Sequence, residues 1–115
     1  MATKIPATQN EEYGFFGTMG RKNKKAWKLA IQAIADATDT ELYQVQAFLD
    51  SRHGRHFADD VLNSDKPKLA DAIQEAIGRW MIWTISSETS RDLGIPRNLP
   101  YLQGMVIHYG ILAEN

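Results

Sequence analysis

The chain contains no cysteine, which removes disulfides, thiolate zinc sites and cysteine nucleophiles together and suits a reducing compartment. No apolar run is long enough to span a bilayer, and the opening MATKIPATQN lacks the apolar stretch of a signal peptide. A soluble, cytoplasmic protein without membrane contact is therefore expected. Charge of one sign is not in excess either: 13 Lys and Arg face 14 Asp and Glu, for a net charge of −1. Nucleic-acid affinity, which draws on accumulated positive charge, would have to come from a local patch. There is no P-loop, no HExxH and no serine nucleophile elbow, and no cofactor is expected.

What is present is an ordinary globular composition, 43% apolar and 23% charged over 115 residues. A single domain of this length removes roughly two thirds of its unfolded surface from water, enough for one core. Residues 1–12 are polar and without period, and read as an arm; residues 13–115 read as one helical domain. The stretch YGFFGTMG places Gly14, Gly17 and Gly20 three apart between aromatic residues. Glycine at that density disfavours a regular element, while Tyr13, Phe15, Phe16 and Met19 call for burial, so an irregular segment pinned by its rings is expected. A phosphate-gripping GxxG loop is the less favoured alternative, because it needs a β-sheet that the pattern does not supply.

From Lys22 onward the period becomes helical. Trp27, Ala30, Ile31, Ile34 and Ala35 share one face of a first helix ending near Thr38. Thr38 and Glu41 fit a capping box for a second helix striped by Leu42, Val45, Phe48 and Leu49. Gly54 is expected to end that helix in a left-handed conformation. A short third helix follows over 56–62, with Phe57, Ala58 and Val61 inward. Pro67 opens a fourth helix, expected to be the longest and central, in which Leu69, Ala72, Ile73, Ala76, Ile77, Trp80, Met81 and Trp83 or Thr84 keep register and Gly78 admits a close crossing. Ser86 or Ser87 caps a brief fifth helix that stops at Gly94. For residues 101–115 a helix through Leu102, Met105, Val106 and Tyr109 is favoured over a strand, which would have no partner. The expected fold is all-α, a compact single domain of five or six helices behind an irregular Gly/aromatic segment.

The motifs YGFFGTM, FLDSRHGRHFADDV, TSRDLGIP and LPYL together resemble a group of short uncharacterised proteins encoded on proteobacterial plasmids and integrative elements. The resemblance covers residues 13 to about 110. It implies a bacterial cytoplasm and an accessory role in the upkeep, transfer or host interaction of a mobile element, and it assigns no catalytic residue.

Two regions hold the candidate chemistry. Within DSRHGRHFADD, Asp50, His53, His56, Asp59 and Asp60 are ligand types for a first-row divalent ion, and His53 or His56 oriented by an aspartate could act as acid or base beside Arg52 and Arg55. That combination would suit a hydrolase acting on a phosphate-containing substrate. The competing reading is structural: Arg52 and His53 suit the end of the second helix, and Asp59 and Asp60 the beginning of the third. Under it no metal is expected, and Arg52, His53, Arg55 and His56 remain as a ligand- or partner-binding surplus. The second region is a helix-turn-helix pattern from Ile31 to Arg52. In it Tyr43, Gln44 and Gln46 would face bases, and Arg21, Lys22, Lys24, Lys25 and Lys28 form the only dense basic group. Against it, Asp39 stands where glycine is usual and Glu41 places a carboxylate at the approaching end. The favoured reading is an interaction or regulatory protein that binds a protein or nucleic acid, as a monomer or a homo-oligomer.

Overall fold

The computed structural model describes residues 24–114, with side chains from Lys28 onward. The N-terminal arm, the Gly/aromatic segment, Arg21 and Lys22 therefore lie outside the described residues, as do the side chains of Lys24, Lys25 and Trp27. Among the described residues there are six helices and no strand: α1 (Lys24–Thr38), α2 (Leu42–Leu49), α3 (Arg52–Leu62), α4 (Leu69–Met81), α5 (Ser87–Leu93) and α6 (Tyr101–Glu114). The domain is all-α. An isolated antiparallel bridge between Thr84 and Pro100 clasps the two linkers around α5.

One cluster forms the core. Ala30, Ile31, Ile34 and Ala35 of α1 meet Val45, Phe48 and Leu49 of α2, Phe57, Ala58 and Val61 of α3, and Ala72, Ile73, Ala76, Ile77 and Trp80 of α4, with Leu102, Met105 and Val106 of α6. Burying each large side chain of this set contributes about 1.5–3 kcal/mol. The rings interlock edge to face: Phe48 lies 6.0 Å from both Phe57 and Trp80, and Phe57 lies 5.3 Å from Trp80, the arrangement that aromatic quadrupoles prefer. The most extensive seam is α6 on α2, while α4 packs on α1, α3 and α6. The seam is close at Gly110, where a Cβ would come within 2.6 Å of the Gln44 side chain of α2; Gly104 gives α6 a similar approach to Ile85 and Ile95 on either side of α5, within 2.9 Å.

Several boundaries differ from the sequence reading. Thr38 does not cap α2; it stays in α1, where its hydroxyl donates to the Ile34 carbonyl at 2.6 Å. The cap is Glu41, whose N–H donates to the Gln44 side chain at 2.7 Å. Gly54 does not end α2. It sits in the first turn of α3, which begins at Arg52 rather than His56, with Ser51 as N-cap accepting from the Gly54 N–H. Pro67 precedes the Lys68 cap of α4 instead of occupying its first turn. This helix is 13 residues long, shorter than the 15 of α1 and the 14 of α6. It stops at Met81, so Trp83 leaves the helical register and is 62% exposed. Gly78 faces open space, and among the described residues no helix crosses there. Leu42, placed on the inner stripe by period, is 51% exposed. The fifth helix follows its expected limits: the Ser86 hydroxyl accepts from the Thr89 N–H, and Gly94 is left-handed at φ 72°.

Candidate functional site

The corner read from DSRHGRHFADD is built by three devices. Asp50 ends α2, its backbone N–H donating to the Gln46 carbonyl and that of Ser51 to the Phe48 carbonyl. Ser51 starts α3, its hydroxyl donating to the Phe48 carbonyl while accepting from Gly54. At Gly54 a Cβ would lie 2.1 Å from the Phe48 carbonyl oxygen and 2.6 Å from the Leu49 Cα, so the two helices touch backbone to backbone and only glycine fits.

This geometry separates the residues that the sequence grouped. His53 is half-buried, and its Nδ1 shares a 2.6 Å hydrogen bond with the Tyr109 hydroxyl of α6. Asp60, two helical turns or about 10 Å further along α3, accepts from the Trp80 indole N–H. Arg52, Arg55 and His56 are exposed, whereas Asp50 and Asp59 are half-buried. Among the described residues no group of three or more His, Asp or Glu side chains is placed to hold a metal ion. Asp60 is committed to the α4 indole and His53 to the α6 phenol, so neither orients the other as an acid–base pair.

What does assemble is a set of histidines around one tyrosine. The His53 ring lies 5.7 Å from Tyr109 and 6.5 Å from His56, and His108 stacks edge-on 4.8 Å from Tyr109. All three histidines of the chain therefore gather where His53 of α3 reaches Tyr109 of α6. Burial lowers the His53 pKa, and the nearby His56, His108 and Arg52 lower it further. Burial also lifts the Asp50 carboxyl to about 6. Sequence reasoning gave His108 and Tyr109 no role, because they adjoin the corner only through the packing of α6.

The dipole account of the corner's charges is reversed. With α3 beginning at Arg52, the cations Arg52 and Arg55 fall in its first turn and Asp59 and Asp60 in its last. Neighbouring helices obey the usual rule, with Asp71 first and Arg79 last in α4, and Glu88 first and Arg91 last in α5.

In the helix-turn-helix region, Asp39 takes the left-handed conformation at φ 55° that the glycine of such turns adopts. The α2 face is only partly open. Gln44 is packed on Gly110 and holds the Glu41 N–H, and Tyr43 donates its hydroxyl to Glu114, which raises the tyrosine pKa. Gln46 and Lys28 stay exposed. No helix among the described residues is long and apolar enough to cross a membrane. No known protein family, curated protein or solved structure matches the chain.

Proposed function

We propose that this chain is a non-catalytic helical interaction protein that binds the acidic surface of a protein partner through the corner where His53 of α3 reaches Tyr109 of α6. One observation carries the reading: Arg52 and Arg55 stand exposed in the first turn of α3, against its dipole, where each cation costs roughly 0.3–1 kcal/mol, with His56 exposed beside them. Stability does not explain that placement. A carboxylate-bearing partner does, since guanidinium groups grip carboxylates in two-pronged hydrogen bonds. The His56 and His108 rings add N–H donors beside them. Protein is favoured over nucleic acid because the net charge is −1 and two of the three base-facing candidates, Tyr43 and Gln44, are engaged within the fold. The resemblance to proteins of mobile elements supports an accessory role in the upkeep, transfer or host interaction of such an element, within a bacterial cytoplasm.

The test is fluorescence anisotropy of a labelled poly-glutamate peptide, standing for an acidic protein face, against duplex DNA of matched charge, at low and moderate salt. The expected result is poly-glutamate binding that the double variant Arg52→Ser, Arg55→Ser weakens at least tenfold without lowering Tm. Unchanged affinity in that variant sinks the proposal. So does binding to DNA alone that is lost in Tyr43→Ala, which would restore the helix-turn-helix reading.

A further inference from the structure

Lys28, Gln32 and Asp36 stand four residues apart on α1 and therefore share one face of that helix. All three are exposed, and the Gln32 amide donates to the Asp36 carboxylate at 2.9 Å. Among the described residues neither Lys28 nor Asp36 makes an ion pair. Lys28 and Gln32 also line an open groove of about 310 Å³ between α1 and α2, whose facing wall holds Leu42, Tyr43 and Gln46. Leu29 beside this row is 42% exposed, and Leu42 and Tyr43 are 51% and 46% exposed. Apolar surface gathered on one side of a small domain marks a contact with another molecule.

We infer that this face seats a second copy of the chain, with α1 packed antiparallel on its counterpart about a two-fold axis beside Gln32. The spacing of the charges favours this occupant. At about 1.5 Å of rise per residue, Lys28 lies about 6 Å before Gln32 and Asp36 about 6 Å after it. Turning one helix end for end about Gln32 brings Lys28 of each copy to Asp36 of the other, and two ion pairs form at once. That is the self-complementarity a two-fold contact requires, residue i meeting j and j meeting i. The row is also one of the i, i+4 ridges along which packed helices align. At the axis the Gln32 amide is both donor and acceptor, so it can pair with its own copy. A partner carrying one sign of charge would match one end of the face and be repelled by the other. Leu29, Leu42 and Tyr43 flank the α1 contact and supply its apolar cover. The inference stands apart from the acidic-partner reading, since this face and the α3–α6 corner share no residue.

The test is sedimentation velocity of the full chain across the micromolar range, at low and moderate salt. The expected result is a monomer–dimer equilibrium that weakens as salt rises. Lys28→Asp and Asp36→Lys should each raise the dimer dissociation constant at least tenfold without lowering Tm, because each turns both attractions into repulsions. An equimolar mixture of the two variants should associate again, since their charges then oppose. The chain has no native cysteine, so Gln32→Cys should also link two copies under mild oxidation. Its yield should be at least tenfold that of Asp92→Cys on α5, which is equally exposed to solvent. A chain that stays monomeric throughout overturns the inference, as does a dimer that both charge reversals leave intact or that the mixture fails to restore. A monomer that binds poly-glutamate and loses that binding in Lys28→Asp also overturns it, and gives the face to an acidic partner.

Discussion

At its start α2 is reached from α1 through Asp39, Thr40 and Glu41, with Asp39 at φ 55°, and a groove stays open beside the join. At its end α2 passes to α3 through Asp50 and Ser51 alone, and Gly54 brings one backbone onto the other. The first corner has the left-handed residue and no glycine; the second has the glycine and no left-handed residue. A glycine beside a helix end thus has two distinct uses, positive φ and close approach, and sequence pattern alone does not separate them. The tight corner brings its two helices backbone to backbone, while Arg52, Arg55 and His56 are exposed and His53 and Asp60 bond to α6 and α4. The loose corner leaves a cavity.

Breaking the tight corner should have the largest effect. Gly54→Ala forces a Cβ into the Phe48 carbonyl and the Leu49 Cα, and neither is the end of a flexible side chain. A loss of about 3 kcal/mol or more is expected in urea unfolding, far above the cost of the same substitution at the Gly94 cap. A loss under 1 kcal/mol would show that the corner is not in backbone contact.

The next effect is electrostatic and depends on pH. Asp50 has its pKa raised to about 6 in the folded state from an ordinary value near 3.8. Folding therefore favours its protonated form, and that stability is complete below about pH 3.8 and lost as pH rises through 6. Asp50→Asn should raise stability by roughly 2 kcal/mol at pH 7.5, a figure reduced for the residue's partial exposure. The gain should vanish below pH 4, as Tm measured across pH would record. His53 has the opposite slope. Its lowered pKa gives stability that is present above its ordinary value of 6.5 and lost as pH falls through the folded value.

The smallest effect belongs to the loose corner. Asp39→Gly should stabilise by about 0.5–1 kcal/mol in chemical denaturation, because the left-handed conformation costs glycine nothing. If stability falls, the Asp39 side chain is holding the turn by an interaction of its own.

Helix identity was legible because the apolar period is strong: nearly every buried position of α1, α2 and α4 falls on the predicted stripe. The boundaries were less so. Thr38 and Glu41 are both reasonable caps in isolation, and Thr38 is kept in α1 by its bond to the Ile34 carbonyl, a choice that depends on coordinates. Gly78 and Gly54 look alike in sequence, yet one faces solvent and the other a carbonyl. The corner was legible as a place. Its internal arrangement was not, because Tyr109, His108 and Trp80 lie 20 to 56 residues away and reach it only through the packing of α4 and α6. Gly104 and Gly110 were the available hint, small residues six apart in an otherwise apolar helix.

The bond from the Trp80 indole to Asp60 has a practical consequence. It joins α3 to α4 at a buried ring boxed in by Phe48 and Phe57, whereas Trp83 stands in water three residues on. The seam between these helices therefore carries its own optical label, a shielded emitter beside an exposed one. Replacing both Trp27 and Trp83 with phenylalanine leaves Trp80 as the single tryptophan and lets closure of α3 onto α4 be timed by light alone.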